Sequence, residues 1–278
     1  MDTKTTNLEG KTALVTGSSR GIGRAIAGHL ASLGAAVAVH GTSPFSTRVF
    51  NEADSLEAVA EAIASETGSQ VVTVHGDLSD EPTVKRVVAE ARQKLGQIDI
   101  LVNNAGGGDG AAGMGGPRAG RPEVDDCVFI SSADMHAILG RNLMSCIYVC
   151  REVAPEMIER RSGRIVNFSS RAAARGMSTL GIYAVAKAGV SHYTRCLAVQ
   201  LRPYNVTVNA IAPGSIVTEH WKRWFPPDDR RLVHEGTLDR YGWPIEAARL
   251  VEFFCSPLSD YVSAQVVRLD GGEDPWPA

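Results

Sequence analysis

Residues 12–23 read TALVTGSSRGIG, an apolar β-branched run followed by Gly17, Gly21 and Gly23. The run predicts a strand at 12–16, and the glycines allow the chain to turn tightly at its end. Beyond the turn Ile22, Ile26, Leu30 and Leu33 recur at helical spacing. A strand that passes through a glycine turn straight into a helix opens a βαβ unit. The same rhythm continues outward, with β-branched runs at 36–40, 71–75, 98–102, 164–168, 206–211 and 265–269. Between them lie the helical patterns Leu56, Val59, Ile63 and Val84, Val87, Val88, Ala91, Leu95. Seven strands alternating with helices predict an α/β chain, a doubly wound parallel sheet covered on both faces. Two longer helices are expected over 133–160, kinked or broken at Pro155, and over 181–201, ending before Pro203.

Composition bounds what such a chain can be. A chain of 278 residues and 29.6 kDa buries roughly three-quarters of its unfolded surface as one domain. No composition shift divides residues 1–278. Hydrophobic residues make up 44% and charged residues 21%, and no apolar run nears the roughly 18 residues of a membrane span, so neither disorder nor a membrane partner is expected. The net charge of −3 and pI near 6.2 give nucleic-acid binding no global support. Five cysteines, odd in number and without a CxxC pair, and no apolar signal region behind Met1 predict the reducing cytoplasm. Cys146 and Cys150 share a helix face, but the scattered histidines complete no metal set.

Two stretches depart from the rhythm. Residues 106–122, GGGDGAAGMGGPRAGRP, predict a mobile loop inserted after the fourth strand. Residues 219–244 mix Trp221, Trp224, Phe225 and Trp243 with charges and the pair Pro226, Pro227. Trp221, Trp224 and Phe225 give a short helix one apolar face that needs burial. A lid over the reacting centre, faced by the glycine-rich loop, is the expected use; a subunit contact is the other.

The chemistry gathers at strand ends. Glycines at 17, 21 and 23 let the backbone approach a pyrophosphate at the positive end of the following helix. Asp77-Leu78 follow the third strand and Asn103-Asn104-Ala105-Gly106 the fourth, at the carboxyl ends where open α/β sheets bind ligands. Tyr183 and Lys187, four apart on a helix, share a face about 6 Å apart along the axis. A free tyrosine titrates near pH 10; a neighbouring ammonium favours the phenolate and makes the phenol a usable acid and base. Ser170 falls just past the strand at 164–168, with Ser169 beside it as the second choice. Asn142 lies on the apolar stripe Met135, Ile138, Leu139, Ile147, where an unpaired amide is costly, so it needs a partner inside.

TGSSRGIG, NNAG, the Tyr183-x-x-x-Lys187 pair and the Pro213-Gly214 turn together resemble the short-chain dehydrogenase/reductase family over about residues 8–272. The resemblance implies a Rossmann-like domain with Tyr183 as acid/base, Lys187 tuning it and holding the nicotinamide ribose, and Ser170 orienting the substrate oxygen. Asn142 would kink its helix and hold a water in a proton relay. Cofactor contacts carry over to Gly17, Ser19, Arg20, Gly21, Ile22, Gly23, Asp77, Leu78, Asn104, Ala105, Gly106, Pro213, Gly214, Ile216 and Thr218, together with Tyr183 and Lys187. An acid ending the second strand would bind a ribose 2′-hydroxyl and repel a 2′-phosphate. Here that end reads HGTS; residues 11–51 hold no Asp or Glu but do hold Arg20, and Thr42 and Ser43 add hydroxyls. NADP(H) is therefore expected, with NAD(H) possible.

The implied activity is hydride transfer between a carbonyl and a secondary alcohol on a small alcohol, sugar or ketone. A 3-oxoacyl-acyl-carrier-protein reductase-like activity is the alternative. A non-catalytic nucleotide-binding regulator is the competing class, opposed by the intact Asn142, Ser170, Tyr183, Lys187 set. The family also implies a homotetramer built on the two long helices and the last strand. Two departures stand out: Ala264 where the family usually has glycine, and the long connection from NNAG to Asn142.

Overall fold

A computed structural model describes residues 6–275; the ends of the 1–278 domain expectation lie outside these. The elements run β1 (Thr12–Val15), α1 (Gly21–Ser32), β2 (Ala36–Gly41), α2 (Leu56–Thr67), β3 (Val71–His75), α3 (Glu81–Leu95), β4 (Ile100–Asn103), α4 (Ser132–Leu139), α5 (Ser145–Arg160), β5 (Gly163–Phe168), α6 (Gly181–Leu201), β6 (Val206–Pro213), α7 (Glu219–Trp224), α8 (Pro244–Cys255) and β7 (Val266–Leu269). All strands pair in parallel in the order β3-β2-β1-β4-β5-β6-β7. Strand order reverses between β1 and β4, which opens a crevice at their carboxyl ends.

Alternation along the strands fills both faces. Ala13 and Val15 of β1 point with Val37, Val39, Val102 and Phe168 toward α1, α2 and α8. Leu14 points the other way, with Ala38, Leu101, Ile165 and Val208, toward α3, α5 and α6. The central strands, buried on both sides, read as continuous apolar runs, while the partly buried edge strands β3 and β7 show through their β-branched residues. Among the described residues no helix is long and apolar enough to cross a membrane.

The long helix before β5 does not break at Pro155, as the proline suggested. A π-helical turn, Gly140–Met144, interrupts it instead. The Asn142 Nδ2 donates to the Ile138 carbonyl at 2.8 Å, the acceptor that a regular α-helix gives to the Asn142 backbone N–H. A side chain inserted into the hydrogen-bond ladder expands it by one residue. Pro155 sits inside α5 on its exposed face, as does Arg151, so the carbonyl that loses its donor is open to water.

Residues 106–122 contain no strand or α-helix, only a 3-10 turn at Pro117–Gly120. Ala264 keeps the turn before β7 by adopting φ 64°, the left-handed region that glycine enters freely, and its N–H reaches the Val208 carbonyl at 2.8 Å.

Candidate active site

The glycine turn is built by exclusion. Gly17 has φ 65°, and a Cβ there would stand 2.8 Å from the Ala105 Cα. A Cβ on Gly23 would collide with the Gly17 carbonyl and the Asn104 amide. The Asn104 Nδ2 donates to the carbonyls of Thr16 and Gly17, both at 3.1 Å, while the Thr16 Oγ1 accepts from the Asn104 and Ala105 N–H groups. The end of β4 is thus stitched to the turn after β1. Beneath them lies His40, 2% exposed: its Nδ1 accepts from the Gly17 N–H at 3.1 Å, so its Nε2 carries the proton toward the Gly76 carbonyl at 3.0 Å. Burial holds this imidazole neutral, down to a pKa of about 4.

A crevice of about 600 Å³ runs from this turn across the strand ends to α6. The turn residues Gly17, Ser19, Arg20, Gly21, Ile22 and Gly23 line it, with Thr42, Asp77, Leu78, Asn104, Ala105, Gly106, Pro213, Gly214, Ile216 and Thr218. Ser43 does not line it; its hydroxyl accepts from the Phe45 N–H instead. Ser46 takes that place. Its Oγ is buried at the crevice wall beside Gly41 with no hydrogen-bond partner, and its carbonyl accepts from the Arg20 guanidinium. Burial lowers the pKa of Arg20. Glu52, one residue past the acid-free stretch 11–51, also faces the crevice: its Oε2 accepts from the Gly21 N–H at 3.2 Å, and burial raises its pKa. These glycine cradles, the orphaned hydroxyl and the guanidinium suit a phosphate-bearing dinucleotide.

At the far end Tyr183, Ser170 and Lys187 converge. The Tyr183 phenol hydrogen-bonds with Ser170, whose Oγ also accepts from the Ala172 N–H at 3.2 Å. Ser169 is turned under the site, its Oγ donating to the Lys187 carbonyl at 2.9 Å and contacting the Ser191 Oγ at 2.6 Å. The Lys187 Nζ lies 5.8 Å from the Tyr183 ring centre and donates to the Phe168 carbonyl at 2.8 Å. Burial brings the Lys187 pKa down to about 8. The Tyr183 pKa is raised, not lowered as the spacing suggested: burial raises it most, and the Ser170 hydrogen bond only partly offsets that. Desolvation dominates both groups, and the Asp109 carboxylate raises the phenol further. Asn142 lies behind Gly106, fully paired: its Oδ1 accepts from the Gly107 N–H at 3.0 Å, and its Nδ2 donates to the carbonyls of Gly107 and Ile138.

Residues 106–122 and α7 meet across the crevice. Met114 reaches the crevice, and its Sδ lies 3.0 Å from an Arg20 nitrogen. Trp224 packs on Gly108 and donates from Nε1 to the Ala119 carbonyl at 3.1 Å. Leu180, Trp221, Trp224 and Phe225 supply apolar walls of the crevice. His40, Ser46, Glu52, Asp109 and His220 were not singled out from sequence. A polar residue inside the apolar run 36–40 was the available signal for His40; the loop residues left none.

The geometry is that of a doubly wound α/β fold with a glycine-lined crevice at the strand ends and a tyrosine, a serine and a lysine at its far end. The chain belongs to the short-chain dehydrogenase family, whose model matches residues 11–229. It is 38% identical over 271 residues to cyclohexanol dehydrogenase of Rhodococcus sp. (strain TK6), covering 95% of this chain and 96% of that protein. To the 3-oxoacyl-acyl-carrier-protein reductase FabG of Aquifex aeolicus (strain VF5) it is 36% identical, over 95% of this chain and 98% of the relative. A 7α-hydroxysteroid dehydrogenase solved with NADH and 7-oxo glycochenodeoxycholic acid superimposes with a TM-score of 0.79 at 31% identity, over 96% and 95% of the two chains. The protein is an oxidoreductase of the kind that acts on CH–OH groups, in a family that binds NAD(P)(H).

Proposed function

We propose that the protein interconverts a carbonyl and a secondary alcohol using NADP(H). The observation that carries this reading is the convergence of Tyr183, Ser170 and Lys187 on the floor of the crevice that the glycine turn opens. The dinucleotide, when bound, supplies the hydride. Ser170 donates a hydrogen bond to the carbonyl oxygen, Tyr183 delivers the proton, and Lys187 holds the ribose and keeps positive charge beside the phenol. Asn142, its amide already committed to Gly107 and Ile138, anchors the backbone behind the lysine rather than holding a water itself.

Cofactor choice rests on Arg20, the Ser46 hydroxyl and the absence of an acid from residues 11–51. A charge-assisted contact to phosphate contributes roughly 1.5–3 kcal/mol. Arg20→Ala is therefore expected to reduce the ratio of kcat/KM with NADPH to that with NADH by about ten- to a hundredfold. An unchanged ratio, or a wild-type preference for NADH, would assign the discrimination elsewhere. Glu52 is the group that would then deserve substitution.

The apolar wall of Leu180, Trp221, Trp224 and Phe225 favours a compact, uncharged carbonyl compound over a carrier-bound acyl chain. Residues 219–244 act as the lid over it. The deciding experiment is a panel of cyclic ketones, keto-sugars, steroid ketones and 3-oxoacyl thioesters, each with NADPH and NADH, read as loss of reduced-cofactor absorbance. Turnover of cyclic ketones supports the reading. Turnover of the thioesters alone would favour the reductase reading, and none with any carbonyl would reject the carbonyl–alcohol activity.

A homotetramer fits the surface: Val185 and Val199 of α6 are 58% and 71% exposed, and Leu258 and Tyr261, between α8 and β7, are also exposed. Light scattering at micromolar concentration is expected to give four chains; a monomer would contradict it.

A further inference from the structure

Asp109 is a carboxylate with no exposed surface, set near the start of the glycine-rich insertion. It fills space that side chains would otherwise occupy: a Cβ on Gly107 would collide with its Oδ2, and one on Gly120 would stand 2.9 Å from its Oδ1. Neither oxygen has a hydrogen bond of good geometry among the described residues. What does reach it is His220 of α7, whose Nε2 lies 3.0 Å from Oδ1 and likewise has no other partner. A buried carboxylate is tolerated when a charge or donor faces it, so each of these groups needs the other.

The imidazole is held from two sides. It stacks on Phe50 at 5.4 Å and 17°, and meets the Trp224 ring edge-on at 5.3 Å. Trp224 itself bonds the insertion through the Ala119 carbonyl and carries the Arg121 guanidinium 5.6 Å from its ring centre. On the insertion side Arg141 donates to the Asp109 carbonyl, fixing the loop to the π-helical turn. His220 and Trp224 face the crevice, whereas Asp109 stands behind them.

We propose that Asp109 and His220 are a positioning pair that joins the insertion to α7, making two segments remote in sequence one wall over the bound dinucleotide and the carbonyl substrate. Neither residue touches the reacting atoms, although the Asp109 carboxylate also acts electrostatically on Tyr183 and Arg20. Asp109 acts through His220, and His220 through the placement of Trp224 and the loop. The inference rests on the reading of the crevice as a dinucleotide site, and it explains why a long glycine-rich loop carries one buried acid.

The test is a cycle of Asp109→Asn, His220→Phe and the double variant in the full-length protein; phenylalanine keeps the stack on Phe50 and removes the ring nitrogen that faces Asp109. Release of NADPH and of NADH is followed by stopped-flow fluorescence, and hydrogen exchange is followed in residues 106–122 and 219–225. Each single variant is expected to release the preferred dinucleotide about tenfold faster, with the double variant no faster than either. Exchange in 106–122 should rise in His220→Phe, although the substitution lies in α7, and KM for the carbonyl should rise more than kcat falls. Independent, multiplying effects on release, or unchanged exchange in the insertion, would overturn the pairing. If a variant fails to fold, exchange with and without dinucleotide in the wild type remains decisive: the two segments must gain protection together. Failure of the wild type to bind either dinucleotide would reject the site itself, an outcome distinct from failure of the pair.

Discussion

His40 shows how a single buried side chain shapes the cofactor turn. It accepts from Gly17 and donates to Gly76, so protonation would set an Nδ1–H against the Gly17 N–H and break that contact. Its folded pKa near 4 lies below the ordinary value of about 6.5, so the unfolded chain binds more protons between those limits. Stability is therefore full above pH 6.5 and declines as pH falls toward 4, by about 3 kcal/mol for this one group. Imidazole NMR signals checked from pH 7.5 to 4.5 should show His40 staying neutral above pH 5; titration near 6.5 would contradict the buried geometry. At this scale the sequence showed which residues meet, since a spacing of four brings Tyr183 and Lys187 to one face. The direction of the tyrosine shift was hidden, because it depends on burial, which spacing does not report.

Among the elements, the strands and α6 were legible from the residues, whereas the break between α4 and α5 was expected at Asn142 only through the family resemblance. Proline is a visible signal for a break, yet at Pro155 the lost hydrogen bond falls on a solvated face. Asn142 breaks the ladder through a side-chain bond that only the packed loop at Gly107 makes worthwhile. Ala264 raises a separate question of element stability. At φ 64° its Cβ carries a strain that glycine lacks. Ala264→Gly is expected to stabilise the protein by about 0.5–1 kcal/mol after the entropy cost of glycine, seen as a higher urea midpoint with unchanged slope. A lower midpoint would mean the methyl group contributes packing that outweighs the strain.

At the scale of the molecule, buried parallel strands wrote the sheet into the sequence, and the sheet order places the glycine turn, the NNAG segment and α6 around one crevice. The roof was only partly readable. Trp221, Trp224 and Phe225 announced a face needing cover, but Asp109 and His220 meet through the tertiary fold, with no periodicity to reveal it. The central claim is that this crevice performs tyrosine-mediated proton delivery during hydride transfer, and Tyr183→Phe tests it most directly. With NADPH and the best carbonyl from the panel, turnover should fall by about 10²–10⁴-fold while the NADPH dissociation constant, measured by fluorescence, stays within about twofold. Turnover near the wild-type rate in the purified variant would contradict the account.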